Sequence, residues 1–402
     1  MSLRIALLVF NLPERGTYFR AYQLGRQLAR RGHRCTLIYT APAARRRFAL
    51  RLEEQGRLAL VAAPDMLQGS LRSGWDPWAA LARTLLMRGA HYDLVHAFEC
   101  RPTVLAPALA ARASGTPLVL DWCDWFGRGG SVEERPPGLA RAALRPVESY
   151  FEEHFRTRAD ATTVINTTLH QKAINLGVLP ESISLIPNGC DTESVGELEP
   201  QAAARAALGL PAHAPIIGYA GAIFPRDAQL MAKAFDLVRA ARPDARLLVL
   251  GYTNVAIEQL VAHPEAVLRS GPLSAQALRR GLRAADVGWV PLCDTGANRG
   301  RWPLKVSSYM ELGLPLVTTD VGDLGAFFAR YKAGVAAAPA AAPLAAATLG
   351  LLADPERRAA LGATGRRLAE GELSWARVAD TLEAVYQRSL GARAASANRR
   401  PS

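Results

Sequence analysis

The chain has 402 residues, of which 50% are hydrophobic and 21% charged, so it favours two globular domains with true cores over a disordered or fibrous protein. The formal net charge of +12 predicts an acidic partner: a nucleotide phosphate, a nucleic acid or an anionic membrane face. The five cysteines form no Cys-x-x-Cys pair, which argues against a disulfide framework or a zinc site and favours a reducing cytosol.

The first half begins with a strand, a glycine-containing loop and a helix, which is the opening of a doubly wound α/β domain. Residues 4–10 are apolar and predict a buried strand, and residues 35–39 predict the next strand. The loop between the first strand and the helix contains Gly16 and Thr17. Because such folds bind ligands at the carboxyl ends of their strands, we expect this loop to face a ligand. The apolar run at residues 5–10 is too short and too early for a signal peptide or a membrane span.

Residues 41–91 are rich in arginine, including residues 45–47, and contain Trp75 and Trp78. A basic segment with exposed aromatic side chains could rest on a membrane surface. The alternative is a solvated helix face above two core tryptophans. We favour the alternative, because no clean amphipathic period is visible.

Polar side chains follow the next two predicted strands. Residues 93–98 predict a strand that contains His96 and leads into Glu99, and residues 117–120 predict one that leads into Asp121 and Asp124. The second loop combines two acids, two tryptophans and three glycines, which is typical of a pocket wall with flexible backbone beside it. A glycine loop over core aromatics would explain the tryptophans but not both aspartates. A single histidine is more often a satisfied core residue than a catalyst.

The second half repeats the order of the first. After a predicted linker at residues 193–215, strands are expected at residues 216–221, 246–251 and 286–291. The fold class is therefore α/β, with two Rossmann-like doubly wound domains. A final helix is expected from residue 375 to about residue 390, followed by a small, polar and basic tail that we expect to be disordered.

The most unusual stretch is residues 298–317, which predict a loop, a short helix, a left-handed turn at Gly313 and a strand. Arg299, Arg301 and Lys305 lie at the start of this helix, where the partial positive charge of the helix makes cations unfavourable. A bound phosphate or pyrophosphate would remove the conflict. The alternative is that all three are solvated surface cations, which is less convincing for the trio than for any single residue.

With these features in place, the chain resembles the GT-B-fold glycosyltransferases of the retaining, family-4-like kind, also called glycosyl transferases group 1. The most specific piece is residues 301–317, which are similar to the P-x-K…YMxxGxP pattern of the family's donor-site helix. Five shorter pieces are similar in the expected order, at residues 31–33, 187–191, 218–221, 286–291 and 374–375. Each is weak alone, but their order and spacing cover the chain from residue 5 to about residue 390.

The resemblance implies two Rossmann-like domains that face a central cleft. Residues 1–195 would form the acceptor-side domain, joined by the C-terminal helix at residues 374–390. Residues 196–373 would form the nucleotide-sugar donor domain, and residues 391–402 the disordered tail. The implied donor-binding residues are Gly16, Thr17, Gly221, Arg226, Leu273, Arg299, Arg301, Lys305 and Ser308, and the catalytic candidates are His96, Glu99, Asp121 and Asp124.

The sequence also departs from the family pattern. Gly300 and Ser308 stand where the family often has two glutamates that hold hydroxyl groups, and Ala222 stands where many members have arginine. Asp121 and its neighbours replace a histidine usually found after the fifth strand. These changes leave the donor sugar and the level of activity open.

The predicted function is transfer of a sugar from a nucleotide-sugar to an acceptor hydroxyl, with retention, in glycan, polysaccharide or glycolipid assembly. The alternative is a non-catalytic nucleotide-sugar or glycan-binding protein, and a nucleic-acid binder ranks lower because no recognition motif is present. We expect no cofactor and no metal, with the nucleotide-sugar as substrate and a glycan or lipid-linked acceptor. The expected location is the cytoplasm, with contact to an anionic inner membrane face if the acceptor is lipid-linked.

Overall fold

The computed structural model describes residues 2–13, 16–41, 47–67 and 73–397, and the chain divides into two compact units. The first unit is Met1–Pro187 with Trp375–Ser402, and the second is Asn188–Ser374. The division thus falls at Pro187, before the boundary that was expected at residue 195. Arg45 and Arg46 of the basic segment lie outside the described residues.

Each unit contains one sheet. The strands in chain order are β1 (Arg4–Leu8), β2 (Arg34–Ala41), β3 (Ala49–Glu53), β4 (Leu58–Pro64), β5 (Leu94–Phe98), β6 (Leu118–Trp122), β7 (Ala161–Val164), β8 (Ile183–Leu185), β9 (Ile216–Ala220), β10 (Arg246–Leu250), β11 (Val267–Arg269), β12 (Val287–Val290), β13 (Leu316–Thr319) and β14 (Gly334–Ala337). The sheet of the first unit has the order β3-β4-β2-β1-β5-β6-β7-β8, and that of the second has the order β11-β10-β9-β12-β13-β14. Apart from the antiparallel pair of β3 with β4, the neighbouring strands pair in parallel.

Helices cover both sheets. They are α1 (Thr17–Arg30), α2 (Pro77–Arg88), α3 (Pro102–Ala113), α4 (Leu139–His154), α5 (Thr167–Asn175), α6 (Thr192–Val195), α7 (Gln201–Ala207), α8 (Pro225–Ala241), α9 (Ala275–Ala284), α10 (Gly296–Arg299), α11 (Leu304–Glu311), α12 (Leu324–Tyr331), α13 (Ala341–Ala353), α14 (Pro355–Glu370) and α15 (Trp375–Ala397). The two doubly wound α/β units confirm the predicted fold class, since parallel strands joined through helices are buried on both faces.

Helix α15 belongs to the first unit although it comes last in the chain. Its buried side chains include five that join the core that β1 and α1 form; they are Trp375, Val378, Leu382, Val385 and Tyr386. The helix also continues through Ala397, so the prediction that the tail is disordered from residue 391 is wrong for residues 391–397. Residues 398–402 lie outside the described part.

Two further expectations are corrected. The predicted linker at residues 193–215 contains α6 and α7 and belongs to the second unit. Trp78 is 61% exposed on α2 rather than buried, while Trp75 is half-buried with its ring centroid 5.1 Å from that of Phe151. In the described ranges, no helix has the length and apolar character needed to cross a bilayer.

Candidate active site

Helix α11 provides the start of the basic site in the second unit. Pro303 lies one residue before the helix, and its side chain gives no cap, so backbone N–H groups of the first turn are left for another partner. At the other end, Gly313 adopts a φ of 61°, as predicted, and its N–H donates to Met310 O over 3.0 Å. Buried Tyr309 and Val306 fix the helix against the sheet.

Lys305 lies in the first turn of α11, directly above Tyr219 at the end of β9. Its Nζ is 3.9 Å from the Tyr219 ring centroid, donates to the Tyr219 hydroxyl and lies 3.4 Å from Ala222 O. Burial, and then the neighbouring cation of Arg301, lower the pKa of Lys305 to about 7. Local sequence provides no reason to assign Tyr219 to the site, because it has the pattern of one more buried strand residue.

Arg301 is the second cation of this site. Its guanidinium lies 4.3 Å from the ring centroid of Phe224 and donates to Asn298 Oδ1. The Asn298 amide in turn donates to Asp227 Oδ1 over 2.9 Å, which fixes the direction of its oxygen. Within the described residues, neither Lys305 nor Arg301 forms an ion pair. The atoms that they contact are neutral oxygens and aromatic faces, and the buried carboxyl of Asp227 acts on both cations from beyond ion-pair distance.

The third predicted cation is different. Arg299 forms two hydrogen bonds to Asp294, with Nε–Oδ1 and Nη2–Oδ2 distances of 2.5 Å and 2.6 Å. The Arg299 side chain is 54% exposed, so this is a surface ion pair, which contributes little to the free energy of unfolding. The pKa of the Asp294 carboxyl is lowered by this hydrogen bond. Arg299 is therefore a weaker candidate for an anion than Lys305 and Arg301.

The remaining predicted donor residues of the second unit lie around the same strand ends. Gly221 has a φ of 83° directly after β9, and Arg226 is exposed in the first turn of α8. Leu273 is 36% exposed and borders an apolar cavity of about 550 Å³ along β10 and β11. Ser308 Oγ donates to Leu304 O over 3.3 Å, so the serine is bonded within its own helix.

In the first unit, the predicted loop residues lie at the start of α1. Gly16 is exposed with a φ of 50°, and Thr17 is the first helical residue and is only 3% exposed. Thr17 Oγ1 is 3.6 Å from Cys123 Sγ, so this helix start contacts the loop that follows β6. Residues 14 and 15 of the same loop lie outside the described residues.

Asp121 is buried inside the sheet rather than placed at the surface. It is 0% exposed and forms a bidentate pair with Arg20, with N–O distances of 2.9 Å and 3.0 Å. Thr163 Oγ1 donates to its Oδ1 over 2.5 Å. Burial alone would raise the pKa of Asp121, but Arg20 outweighs it and the pKa is lowered. We therefore assign this ionised carboxylate to the structure of the unit and not to contact with a substrate.

His96 is likewise enclosed. It is 0% exposed, its Nδ1 is 2.7 Å from the hydroxyl of Tyr386 on α15, and its Nε2 is 3.4 Å from Thr163 Oγ1. Burial lowers the pKa of His96 to about 4, so the imidazole is neutral at physiological pH. It joins α15 to the sheet, which is the core role that a single histidine usually has.

Glu99 and Asp124 lie close together at the ends of β5 and β6. Glu99 is 1% exposed, and its Oε1 accepts hydrogen bonds from the backbone N–H groups of Cys123 and Asp124 over 2.9 Å and 3.2 Å. Burial raises the pKa of Glu99 to about 8. Asp124 is partly exposed, so of the four predicted catalytic residues it is the one a substrate can reach directly.

The loop after β6 is tightly packed, which corrects the expectation of flexible glycine backbone. A Cβ atom on Gly127 would lie 2.6 Å from Glu152 Oε2, and one on Gly130 would lie 2.2 Å from Trp125 O. Both glycines therefore permit close approach rather than motion. Across the described ranges, no three His, Cys, Asp or Glu side chains are grouped so that they could hold a metal ion.

Comparison with known proteins explains this arrangement. The sequence pattern of Glycosyltransferase Family 4 matches residues 16–194, and that of Glycosyl transferases group 1 matches residues 214–354. A D-inositol 3-phosphate glycosyltransferase of Kineococcus radiotolerans is 30% identical over 335 residues, which are 76% of this chain and 73% of that protein. The chain belongs to the family-4-type GT-B glycosyltransferases.

Two further similarities agree with this family of enzymes. A GDP-mannose-dependent monoacylated alpha-(1-6)-phosphatidylinositol monomannoside mannosyltransferase of Corynebacterium glutamicum is 29% identical over 241 residues, which are 58% of this glycosyltransferase and 63% of that protein. The match thus spans less than two thirds of that relative. Sucrose-phosphate synthase from Thermosynechococcus elongatus has the same fold, with a TM-score of 0.74, 20% identity and coverage of 97% of this chain and 100% of its own.

Proposed function

We propose that this glycosyltransferase moves a sugar from a nucleotide-sugar to an acceptor hydroxyl, with retention of the anomeric configuration. The observation that carries the proposal is the pair of Lys305 and Arg301. Both cations lie at the uncapped start of α11, and neither has a carboxylate partner in the described residues. Like charges held together in this way favour an anion, and a pyrophosphate matches both the cations and the helix start.

The chemistry follows from where charge develops. Departure of a nucleoside diphosphate builds negative charge on its phosphates, and Lys305 and Arg301 would stabilise that charge as it forms. Arg226 is exposed in the first turn of α8 and would add to the positive potential, whereas the charge of Arg299 is largely offset by Asp294. The acceptor hydroxyl would attack from the side of the leaving phosphate, whose oxygen takes the acceptor proton. Asp124 in the first unit would orient the acceptor or assist that proton transfer.

The relatives support a narrower choice of substrates. The name of the Corynebacterium glutamicum relative gives GDP-mannose as its donor and a phosphatidylinositol mannoside as its acceptor. The name of the Kineococcus radiotolerans relative gives D-inositol 3-phosphate. We therefore propose a hexosyl donor such as GDP-mannose, with an inositol phosphate or glycolipid acceptor. A bound anion at Lys305 is common to every donor of this class, since all of them share the pyrophosphate group.

A thermal-shift panel of nucleoside diphosphates and nucleotide-sugars tests the proposal. At about 100 times its Kd, a diphosphate should add about 2.7 kcal/mol to the stability of the unit that binds it. We expect GDP or UDP to raise the Tm, and the matching nucleotide-sugar to release diphosphate when D-inositol 3-phosphate or phosphatidylinositol vesicles are present. Stabilisation without release of diphosphate would instead indicate a binding protein, and no stabilisation by any nucleotide would overturn the proposal.

We also propose that the first unit rests on an anionic membrane face. Helix α2 exposes Trp78, Leu81 and Leu85 by 61%, 51% and 58%, and their spacing places them on one side of the helix. The helix contains no acidic residue, and it ends with the exposed cation Arg88. An apolar stripe with a cation at its end matches the boundary between lipid headgroups and acyl chains.

Co-sedimentation with vesicles checks this surface. Replacing Trp78, Leu81 and Leu85 together by serine should lower partitioning to phosphatidylglycerol-containing vesicles by at least about tenfold, because each apolar side chain buried contributes about 1.5–3 kcal/mol. Leu179→Ser, at a 63% exposed leucine of the same unit, is the matched control and should partition as the unchanged protein does. Equal sedimentation of the triple variant and the control would remove α2 from the proposal.

A further inference from the structure

Glu99 has an unusual backbone conformation for a residue other than glycine. It follows β5 directly with a φ of 71°, in the left-handed region. Its backbone N–H donates to Asp121 O over 3.2 Å, which ties it to the neighbouring strand β6. A side chain in this region costs about 1–3 kcal/mol, so it persists only where the surrounding contacts determine it, often beside functional groups.

The Glu99 carboxylate contacts the beginning of the β6 loop, which we define as residues 123–130. Its Oε1 accepts the N–H groups of Cys123 and Asp124 and lies 3.1 Å from Cys123 Sγ. Its Oε2 lies 3.5 Å from Arg156 Nη2, and neither of these two buried atoms makes a hydrogen bond in the described structure. One oxygen of the carboxylate therefore holds the turn from which the Asp124 side chain extends.

A second buried carboxylate holds the middle of the same loop. Glu152 on α4 is 3% exposed and accepts from the N–H groups of Phe126 and Gly127 over 2.7 Å and 2.6 Å. It also accepts from Trp122 Nε1 over 3.0 Å. The β6 loop is thus fixed on both sides of Asp124, while the Asp124 side chain itself remains partly exposed. A fixed backbone around one accessible acid is what positioning of a reacting group requires.

We propose that Glu99 is a positioning residue, which acts through the backbone N–H groups of Cys123 and Asp124 to hold the Asp124 carboxylate where the acceptor hydroxyl binds. This inference rests on the proposed function, because it assumes that Asp124 meets the acceptor. It replaces the expectation that Glu99 itself touches a substrate, since its carboxylate is enclosed. Glu99 therefore determines the geometry of the acceptor site without being a catalytic residue.

The charge state of Glu99 makes one variant especially informative. Burial raises its pKa to about 8, with Arg156 lowering it and Asp124 raising it, while Cys123 donates to its Oε1. The raised pKa makes the neutral carboxyl more populated at neutral pH than it is in an exposed glutamate. A glutamine has the same shape and keeps one oxygen acceptor. Glu99→Gln should therefore preserve the loop, whereas Glu99→Ala removes the acceptor altogether.

Hydrogen exchange at the two amides tests the contact without any ligand. In Glu99→Ala, the amides of Cys123 and Asp124 should exchange at least about tenfold faster, which corresponds to about 1.4 kcal/mol of lost protection. Glu99→Gln should retain most of the protection. Glu148→Gln is the matched control, because Glu148 is a buried acid that pairs with Arg101 and is only 3% exposed. Unchanged exchange in Glu99→Ala would overturn the inference.

Transfer from GDP-mannose to D-inositol 3-phosphate, or to phosphatidylinositol vesicles, tests the role in the reaction. Glu99→Ala and Asp124→Asn should each lower kcat by up to about 10²-fold, as expected for a misplaced group, with an unchanged KM for GDP-mannose. Because Glu99 acts through Asp124, the double variant should be no slower than Asp124→Asn alone. Losses that multiply in the double variant would contradict the inference. If the unchanged protein transfers no sugar, that failure belongs to the proposed function, and the exchange measurement still decides whether Glu99 holds the loop.

Discussion

Lys305→Ala is expected to lower kcat/KM for the nucleotide-sugar by about 10²- to 10³-fold, the usual cost of removing one group that stabilises developing charge. The physical reason is that the hydrogen bonds of Lys305 Nζ in the described part of the chain go to neutral oxygens, those of Tyr219 and Ala222, so its charge is available to the leaving diphosphate. The same change should remove most of the Tm increase that GDP or UDP gives. Steady-state kinetics and thermal shifts on the purified variant measure both effects.

Lys233→Ala is the matched control, because Lys233 is an exposed lysine on α8 of the same unit. It should behave as the unchanged protein does. The titration of Lys305 gives a second check. Its pKa of about 7 means that the ammonium loses its proton as the pH rises through that value, so GDP affinity should fall over the same range. A bound diphosphate raises that pKa, and calorimetry in two buffers should detect proton uptake on binding. A donor affinity that Lys305→Ala leaves unchanged would remove Lys305 from the site.

The sequence was sufficient to locate the buried parallel strands but not the edges of either sheet. Continuous apolar runs such as β1 and β12 indicate central strands of an α/β sheet, because both faces of such strands are buried. By contrast, β3 exposes four of its five residues, and β14 has the sequence Gly-Val-Ala-Ala, which has little strand preference. Such edge strands form because a neighbour offers unpaired backbone groups, and that information is not local.

The residues of the candidate site were likewise predictable from the sequence only in part. Lys305 was found because the order of residues around it matches a family pattern and because cations at a helix start need an explanation. Its partner Tyr219 lies 86 residues earlier, and nothing in the local sequence distinguishes it from a core tyrosine. Likewise, a carboxylate at the end of a strand can face either solvent or a neighbouring helix. The sequence could not show that Asp121 is enclosed by Arg20, 101 residues away, while Asp124 remains accessible.

The largest effect on stability is expected from Arg20→Met, which should lower the free energy of unfolding of the first unit by about 3–5 kcal/mol. Arg20 is 2% exposed, and its guanidinium donates to both oxygens of Asp121 and to the backbone oxygens of Ile186 and Pro187. Without it, the buried Asp121 carboxylate would have no ion-pair partner among the described residues. Urea unfolding at neutral pH, followed by the near-ultraviolet signal of the first unit, measures the loss.

The pH dependence of this loss has a definite sign. In the unchanged protein Asp121 has a lowered pKa, so the pair contributes stability above the carboxyl's usual pKa and loses it as the pH falls through the lowered value. In Arg20→Met, burial would raise that pKa, and the carboxyl would have to be protonated to fold. The difference between the two proteins should therefore be small in acid and should grow toward neutral pH.

Two further variants test whether the loss of stability comes from the buried ion pair or from a general destabilisation of helix α1. Arg26→Met removes an arginine of the same helix whose partner, Glu54, is partly exposed, and it should cost less than about 1 kcal/mol. Arg20→Met combined with Asp121→Leu should recover much of the stability that the single change loses, because the unpaired charge is gone. If the double variant is as unstable as Arg20→Met alone, the stability comes from the backbone contacts of Arg20 to Ile186 and Pro187. That result would contradict the structural role that we assign to the Asp121 carboxylate.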